Sequence, residues 1–341
     1  MSYAPGALAG RLAKDRVRLG LVWTILLVWP FLAPNDYILS LGVMFFINLV
    51  LVASLNLVLG YAGQISLCHG AFFGLGAYVS GVLSVRYGVS PAIGLVAAIV
   101  GTTAAAAAIG LPTLRLRGHY LAMGTLGFNA ILTVLFNELV PLTGGPNGLA
   151  GIAPLSFFGY EFDTPTKFFF AAWILSGIVM LLILNLVSGR VGRGLRAVSG
   201  SEIAAGALGV DAFRFKLAAF SLSAGFAGLA GAMYAHFNMY ASPETFSFFT
   251  SVLLVVMVAL GGWGSYWGPV FGALIYTAMP ELLRRFQDAE LFLFGLCMIV
   301  VLLYLPGGVA HLFARRGRHS RATARATPPT SSSNGVRDGA A

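Results

Sequence analysis

Long apolar runs separated by short polar punctuation dominate the pattern of this chain. A helix needs roughly 20 predominantly apolar residues to cross a bilayer. On that rule the pattern predicts ten spans, at about 19–33, 38–59, 67–85, 92–111, 121–139, 167–187, 216–237, 248–260, 268–280 and 291–306. The eighth and ninth are short for a full crossing, so eight or nine spans also satisfy the pattern. The fold class that follows is all-α, a polytopic membrane helix bundle of about 8–10 transmembrane helices. Residues 1–18 then form a cytoplasmic N-terminus, 19–312 the transmembrane domain, and 313–341 a basic, disordered tail rich in Arg, Thr, Ser and Pro. The run from Leu19 to Ala33 lacks a convincing small-residue cleavage site and is read as a retained helix.

Composition agrees. Of 341 residues, 58% are hydrophobic and 10% charged, against about 25% charged in soluble domains. The net charge of +9 raises nucleic acid as a partner, but its distribution argues for lipid instead. With the N-terminus inside, seventeen of the 21 Lys and Arg residues fall on the cytoplasmic side and four outside. That asymmetry is the positive-inside signature of a multi-pass protein with both termini cytoplasmic.

Glycine breaks this pattern at two places. In GYAGQISLCHGAFFGLGAY, residues 60–78, Gly60 and Gly63 interrupt the helix and bring Gln64 and Ser66 to membrane depth. Non-helical backbone survives there only when buried in protein or lining a cavity. A broken or re-entrant helix beside a translocation path is expected. Leu59–Gly63 is echoed by Leu260–Gly264, and Gly70–Gly74 by Gly268–Gly272. Gly261, Gly262 and Gly264 thus become the second break, in a parallel internal repeat. Thr125 lies in a small-residue span suited to close packing or to lining a path. On the outer side, Thr143–Leu149 (TGGPNGL) is a run of turn formers.

The longest cytoplasmic connection, residues 188–216, carries five positive charges. Ser199 and Glu202 have capping-box spacing, alanines follow, and Gly209 stands where a helix would stop. A short surface helix over about 200–208 is predicted, with Ala204 and Ala205 giving it a small docking face.

Neither chemistry nor energy supply is evident in the chain itself. There is no Walker A pattern. Cys68 and Cys297 form no metal or disulfide pattern, and the five histidines are scattered. No catalytic residue, metal ligand or cofactor is assigned. A membrane-embedded enzyme needs a convergent constellation that is missing. An ion-coupled carrier usually has ionisable groups deep in its spans, and the only acid that the sequence places inside one is Glu138, near its end.

Together these motifs resemble the LivM-type permease subunit of bacterial branched-chain amino-acid ABC importers, from about Phe46 to Gly308. Those that carry the likeness are GYAGQISLCHGAFFGLGAY, LRLRGHYLAMGTLGF, TGGPNGL, VGRGLRAVSGSEIAAGALGV and LGGWGSYWGPVFGA. The resemblance implies a translocation subunit in the bacterial inner membrane. Its partners would be a second related permease, two cytoplasmic ATP-binding subunits and a periplasmic substrate-binding protein. It also implies an ATPase-coupling segment around Arg193, Glu202, Ala204, Ala205 and Gly209. Ala204, Ala205 and Gly209 keep the EAA–glycine spacing of ABC importers, with the acid displaced by one residue to Glu202. Gly144, Gly145, Asn147 and Gly148 become the docking loop for the binding protein. Similar permeases serve other amino acids, urea or amides, so substrate stays open here.

Overall fold

The computed structural model describes residues 19–32, 35–116, 118–157 and 159–283, with a few isolated positions before and after. The expected tenth span, 291–306, lies largely outside the described residues, as do the N-terminal segment and the basic tail. The helices are α1 (Leu19–Phe31), α2 (Asp36–Asn56), α3 (His69–Tyr87), α4 (Pro91–Thr113), α5 (His119–Glu138) and α6 (Pro165–Ser188). They are followed by α7 (Arg190–Gly200), α8 (Glu202–Ala207), α9 (Ala212–Asn238), α10 (Phe248–Gly261) and α11 (Gly268–Leu283). Five are long and apolar enough to cross a membrane: α2 with its extension to Tyr61, α4, α5, α6 and α9. The first and eighth expected spans are shorter apolar helices, α1 and α10.

Helix ends follow local chemistry. Pro91 and Pro165 open α4 and α6 at positions where a missing N–H costs nothing. The Asp211 carboxylate accepts the Arg214 N–H at 3.1 Å to start α9. Gly88, at φ +60°, ends α3 in the left-handed region.

Helices α9 and α2 form the centre. In their apolar windows 78% and 67% of residues are buried, against 28% in α4 and 22% in α5. The reason for α9 is its run of Gly, Ala and Ser, which lets neighbouring backbones approach. A β-carbon on Gly231 would collide with the Phe73 carbonyl, and one on Gly76 with the backbone of Gly228. So α3 and α9 cross with almost no side chain between them. Around this crossing, Phe72 and Phe220 meet edge to face at 5.5 Å, as do Phe73 and Phe246 at 5.0 Å. By contrast, α4 and α5 turn Ile93, Val96, Val100, Tyr120, Met123 and Ile131 outward, a surface suited to lipid or another membrane helix.

The bundle has two distinct ends. At one, β1 (Leu149–Ala150) pairs antiparallel with β4 (Tyr240–Ala241), and β2 (Ser156–Phe157) with β3 (Tyr160–Glu161). His236 pins this cap to the bundle: its Nδ1–H donates to the Ala153 carbonyl at 2.7 Å, and Nε2 accepts from Ser80 at 2.7 Å. At the other end lie α7 and α8.

Candidate functional site

Helix α2 does not stop cleanly. It widens into a π turn over Leu57–Tyr61, Gly63 reverses the chain at φ +66°, and residues 63–68 run without helix to α3. The second glycine break, after α10, comes against the first. Asn56 joins them: its Oδ1 accepts the Gly264 N–H at 3.0 Å, and its Nδ2 donates to the Ser265 carbonyl at 2.9 Å. Gly60 lies against the Gly264 backbone, with no room for a side chain. Gly262, at φ +115°, and Gly264, at φ +65°, set the turn, while Gly261 packs on the Gly268 carbonyl. Both breaks join a helix arriving from the strand-capped end to one returning there, the parallel sense that the repeat predicts.

The non-helical stretch is held from both sides. The Leu67 N–H donates to Thr125 Oγ1 at 3.1 Å. Asn129 Nδ2 donates to the Leu67 carbonyl at 2.9 Å and to Ser251 Oγ at 2.7 Å. Ser251 in turn accepts the Gly70 N–H at 2.9 Å. Ser66 donates to His69 Nδ1 at 3.3 Å, and His69 Nε2–H donates to Ser223 at 2.6 Å. Ser223 passes its own proton to the Ser54 carbonyl at 2.8 Å. His69 is thereby a satisfied buried polar group. Buried Gln64 alone on this stretch has no partner for either carboxamide atom among the described residues.

Asn56, Asn129, Ser223 and Ser251 were missed from sequence. The available signal was a polar residue inside an apolar span; what it bonds to lies 62 to 209 residues away. Replacing Asn129 by leucine removes both donors. It is expected to cost about 1–3 kcal/mol, read as a lower midpoint of thermal unfolding in detergent.

At the opposite end from the strands, the expected surface helix exists but differs in detail. Residues 190–200, read from sequence as a connection, form the helix α7. It buries Gly192, Gly194, Leu195 and Val198 and exposes Arg190, Arg193 and Arg196. The predicted Ser199 cap is corrected: Ser199 belongs to α7, and Ser201 caps α8 by accepting the Ala204 N–H at 3.3 Å. Gly209 does end the helix, at φ +79°. Its N–H bonds the Gly206 carbonyl and the Val210 N–H bonds the Ala205 carbonyl, both at 3.0 Å, the two bonds of a Schellman stop.

The small face expected at Ala204 and Ala205 is only partly open. Ala205 is buried in its own chain at 2% exposure, while Ile203 and Leu208 stand out at 84% and 82%. Ala204 is exposed beside them. Glu202 pairs with Lys216 of α9, whose ammonium is nearly buried. Glu202→Ala should leave that cation without its carboxylate and cost about 1–3 kcal/mol. The measurement is again the unfolding midpoint, with Glu202→Gln intermediate.

The two regions touch. A β-carbon on Gly63 would lie 2.6 Å from Ser199 Oγ, so the end of α7 rests directly on the broken segment. The Thr143–Leu149 turn lies at the strand-capped end, away from both. Gly144, Gly145 and Gly148 all have positive φ, Thr143 Oγ1 accepts the Gly145 N–H at 3.1 Å, and Tyr240 donates to the Asn147 carbonyl at 2.8 Å. These bonds make a rigid turn at the strand-capped end, with Pro146 and Asn147 exposed. Among the described residues, no three His, Cys, Asp or Glu side chains come together as a metal site.

Comparison with known proteins agrees with this architecture. Residues 37–302 match the family model of the branched-chain amino acid transport system permease component. The chain is 32% identical to the high-affinity branched-chain amino acid transport system permease protein LivM of Salmonella typhimurium, over 89% of this chain and 76% of that protein. LivM of Escherichia coli K12 gives the same figures. The permease protein LivH of Salmonella typhimurium is 26% identical, over 74% of this chain and 88% of its own length. No solved structure matches. Likeness to both LivM and LivH indicates a system with a pair of permease subunits. With its apolar bundle, paired glycine breaks and matched span of residues, the chain belongs to the family of branched-chain amino acid transport system permease components, membrane transport subunits rather than enzymes.

Proposed function

We propose that this chain forms half of the translocation path for branched-chain amino acids in an ATP-driven importer of the bacterial inner membrane. A second, related permease completes the path. Two ATP-binding subunits dock at the α7–α8 end, which faces the cytoplasm, and a periplasmic binding protein delivers substrate to the turn at Gly144–Gly148. The orientation rests on the seventeen-to-four distribution of positive charge. N- and C-termini are then both cytoplasmic.

The observation that carries this reading is the exposed pair Ile203 and Leu208 on a braced helix. Apolar side chains held out in the aqueous layer are suited to a groove on a soluble partner. The Ser201 cap, the Schellman stop and the Glu202–Lys216 pair make α8 a rigid lever. The ATP-binding subunits close on nucleotide, α8 moves with them, α7 follows, and Ser199 bears on Gly63. The broken segment then changes its position relative to Thr125, Asn129 and Ser251, and the bundle alternates between outward-open and inward-open arrangements.

Purification of the tagged chain from its native membrane tests the assembly. The expected product contains a second family member and an ATP-binding subunit in a 1:1:2 stoichiometry by quantitative mass spectrometry. A stable homodimer that hydrolyses no ATP would defeat the proposal.

A further inference from the structure

The stretch that follows Gly63 alternates in burial as extended backbone does: Gln64, Ser66 and Cys68 are buried, and Ile65 is exposed. Gln64 and Ser66 therefore point to the same interior side. Neighbouring polar groups on this stretch are bonded. Ser66 is bonded to His69, the Leu67 amide to Thr125, and the Leu67 carbonyl to Asn129. Even the Gln64 backbone N–H donates to the Val58 carbonyl at 3.1 Å. The Gln64 side chain, 2% exposed, has neither its Oε1 nor its Nε2 bonded among the described residues.

An unpartnered buried carboxamide opposes folding, so it does not hold this stretch in place. Buried polar groups left unsatisfied in a native protein require a reason. We infer that Gln64 is a substrate-contact residue, which binds the charged head of the transported amino acid as it passes the inner half of the path. This inference rests on the import function proposed above. The chemistry is complementary: the Nε2 hydrogens suit a carboxylate, and Oε1 suits an ammonium. Gly63 is the adjoining hinge, and it lies under Ser199 of α7. Movement of the docking layer is thus delivered one residue from the carboxamide. The contact is offered in one arrangement of the bundle and withdrawn in the other.

Gln64→Met preserves the length of the side chain and removes its hydrogen bonds. The complete importer, reconstituted in proteoliposomes with leucine-loaded binding protein at saturation, should lose at least ten-fold in the rate of leucine uptake. Subunit stoichiometry and ATP hydrolysis should stay within two-fold of the wild type, and the unfolding midpoint should stay the same or rise. Uptake within two-fold of the wild type overturns the assignment. So does a lower midpoint with loss of assembly, because the side chain would then be structural. A wild-type complex that takes up no leucine refutes the import reading itself, and the Gln64 role with it.

Discussion

Replacing Leu208 by aspartate should release the ATP-binding subunits while leaving the membrane bundle folded. Leu208 is the last residue before the Gly209 stop, it is 82% exposed, and its side chain has no packing role in its own chain. An aspartate there is solvated in the free subunit and costs little. Inside an apolar groove of a partner the same carboxylate is desolvated and unpaired, so the change falls on the complex. Apolar anchors at the centre of an interface are worth about 2 kcal/mol or more each, roughly a thirty-fold loss of affinity. Ile203→Asp should behave alike, and the double variant should abolish co-purification. The measurement is ATP-binding subunit retained per permease after affinity purification, alongside thermal unfolding of the permease. Ala205→Arg is not an equivalent test. Ala205 is buried in its own chain, so an arginine there would damage α8 itself.

Substitution of Gly231 by valine should have the largest effect on folding. Gly231 of α9 lies on the Phe73 carbonyl of α3, and a β-carbon there would also lie 2.9 Å from the Ala77 amide nitrogen. The obstacle is backbone on a rigid helix, not the tip of a movable side chain. The helices must separate, and the edge-to-face contacts of Phe73 with Tyr234 and Phe246 are disturbed. Overpacking at a close crossing costs about 3 kcal/mol or more. Losses of this size lower cellular abundance several-fold. Membrane-inserted, detergent-extractable monomer should fall accordingly. Gly127→Val on α5 serves as the control, since nothing lies within 4 Å of its β-carbon position.

Local signals carried much of this structure. The apolar runs located α1 to α6 and α9 to α11, because hydropathy over about 20 residues reports a span directly. Gly63 and Gly209 marked a break and a stop that the backbone makes at positive φ. Where two local solutions competed, sequence could not choose. Ser199 and Ser201 both suit a cap, and only the packing of Ser199 against Gly63 shows that α7 continues through it. Helix α7 was hidden because three glycines and three arginines in eleven residues read as a connection. Its buried glycines have meaning only beside Val187 and Phe215. Glu202 showed capping-box spacing, but its pairing with Lys216, fourteen residues on, is beyond what that spacing encodes. The two glycine breaks were legible in outline, as Gly60, Gly63, Gln64, Ser66, Thr125 and Gly264 lie in one region. The residues that tie it together, Asn56 and Asn129, act across distances that no local pattern encodes.

On the proposed function, nucleotide-driven motion at α8 powers amino-acid movement through the bundle. Leucine uptake into proteoliposomes that contain the purified complex, with loaded binding protein on one side and ATP on the other, tests it most directly. Accumulation should require both, and the permease carrying Ile203→Asp and Leu208→Asp together should accumulate none even with every subunit added. Uptake that runs without ATP, or that follows an imposed proton or sodium gradient, would contradict it.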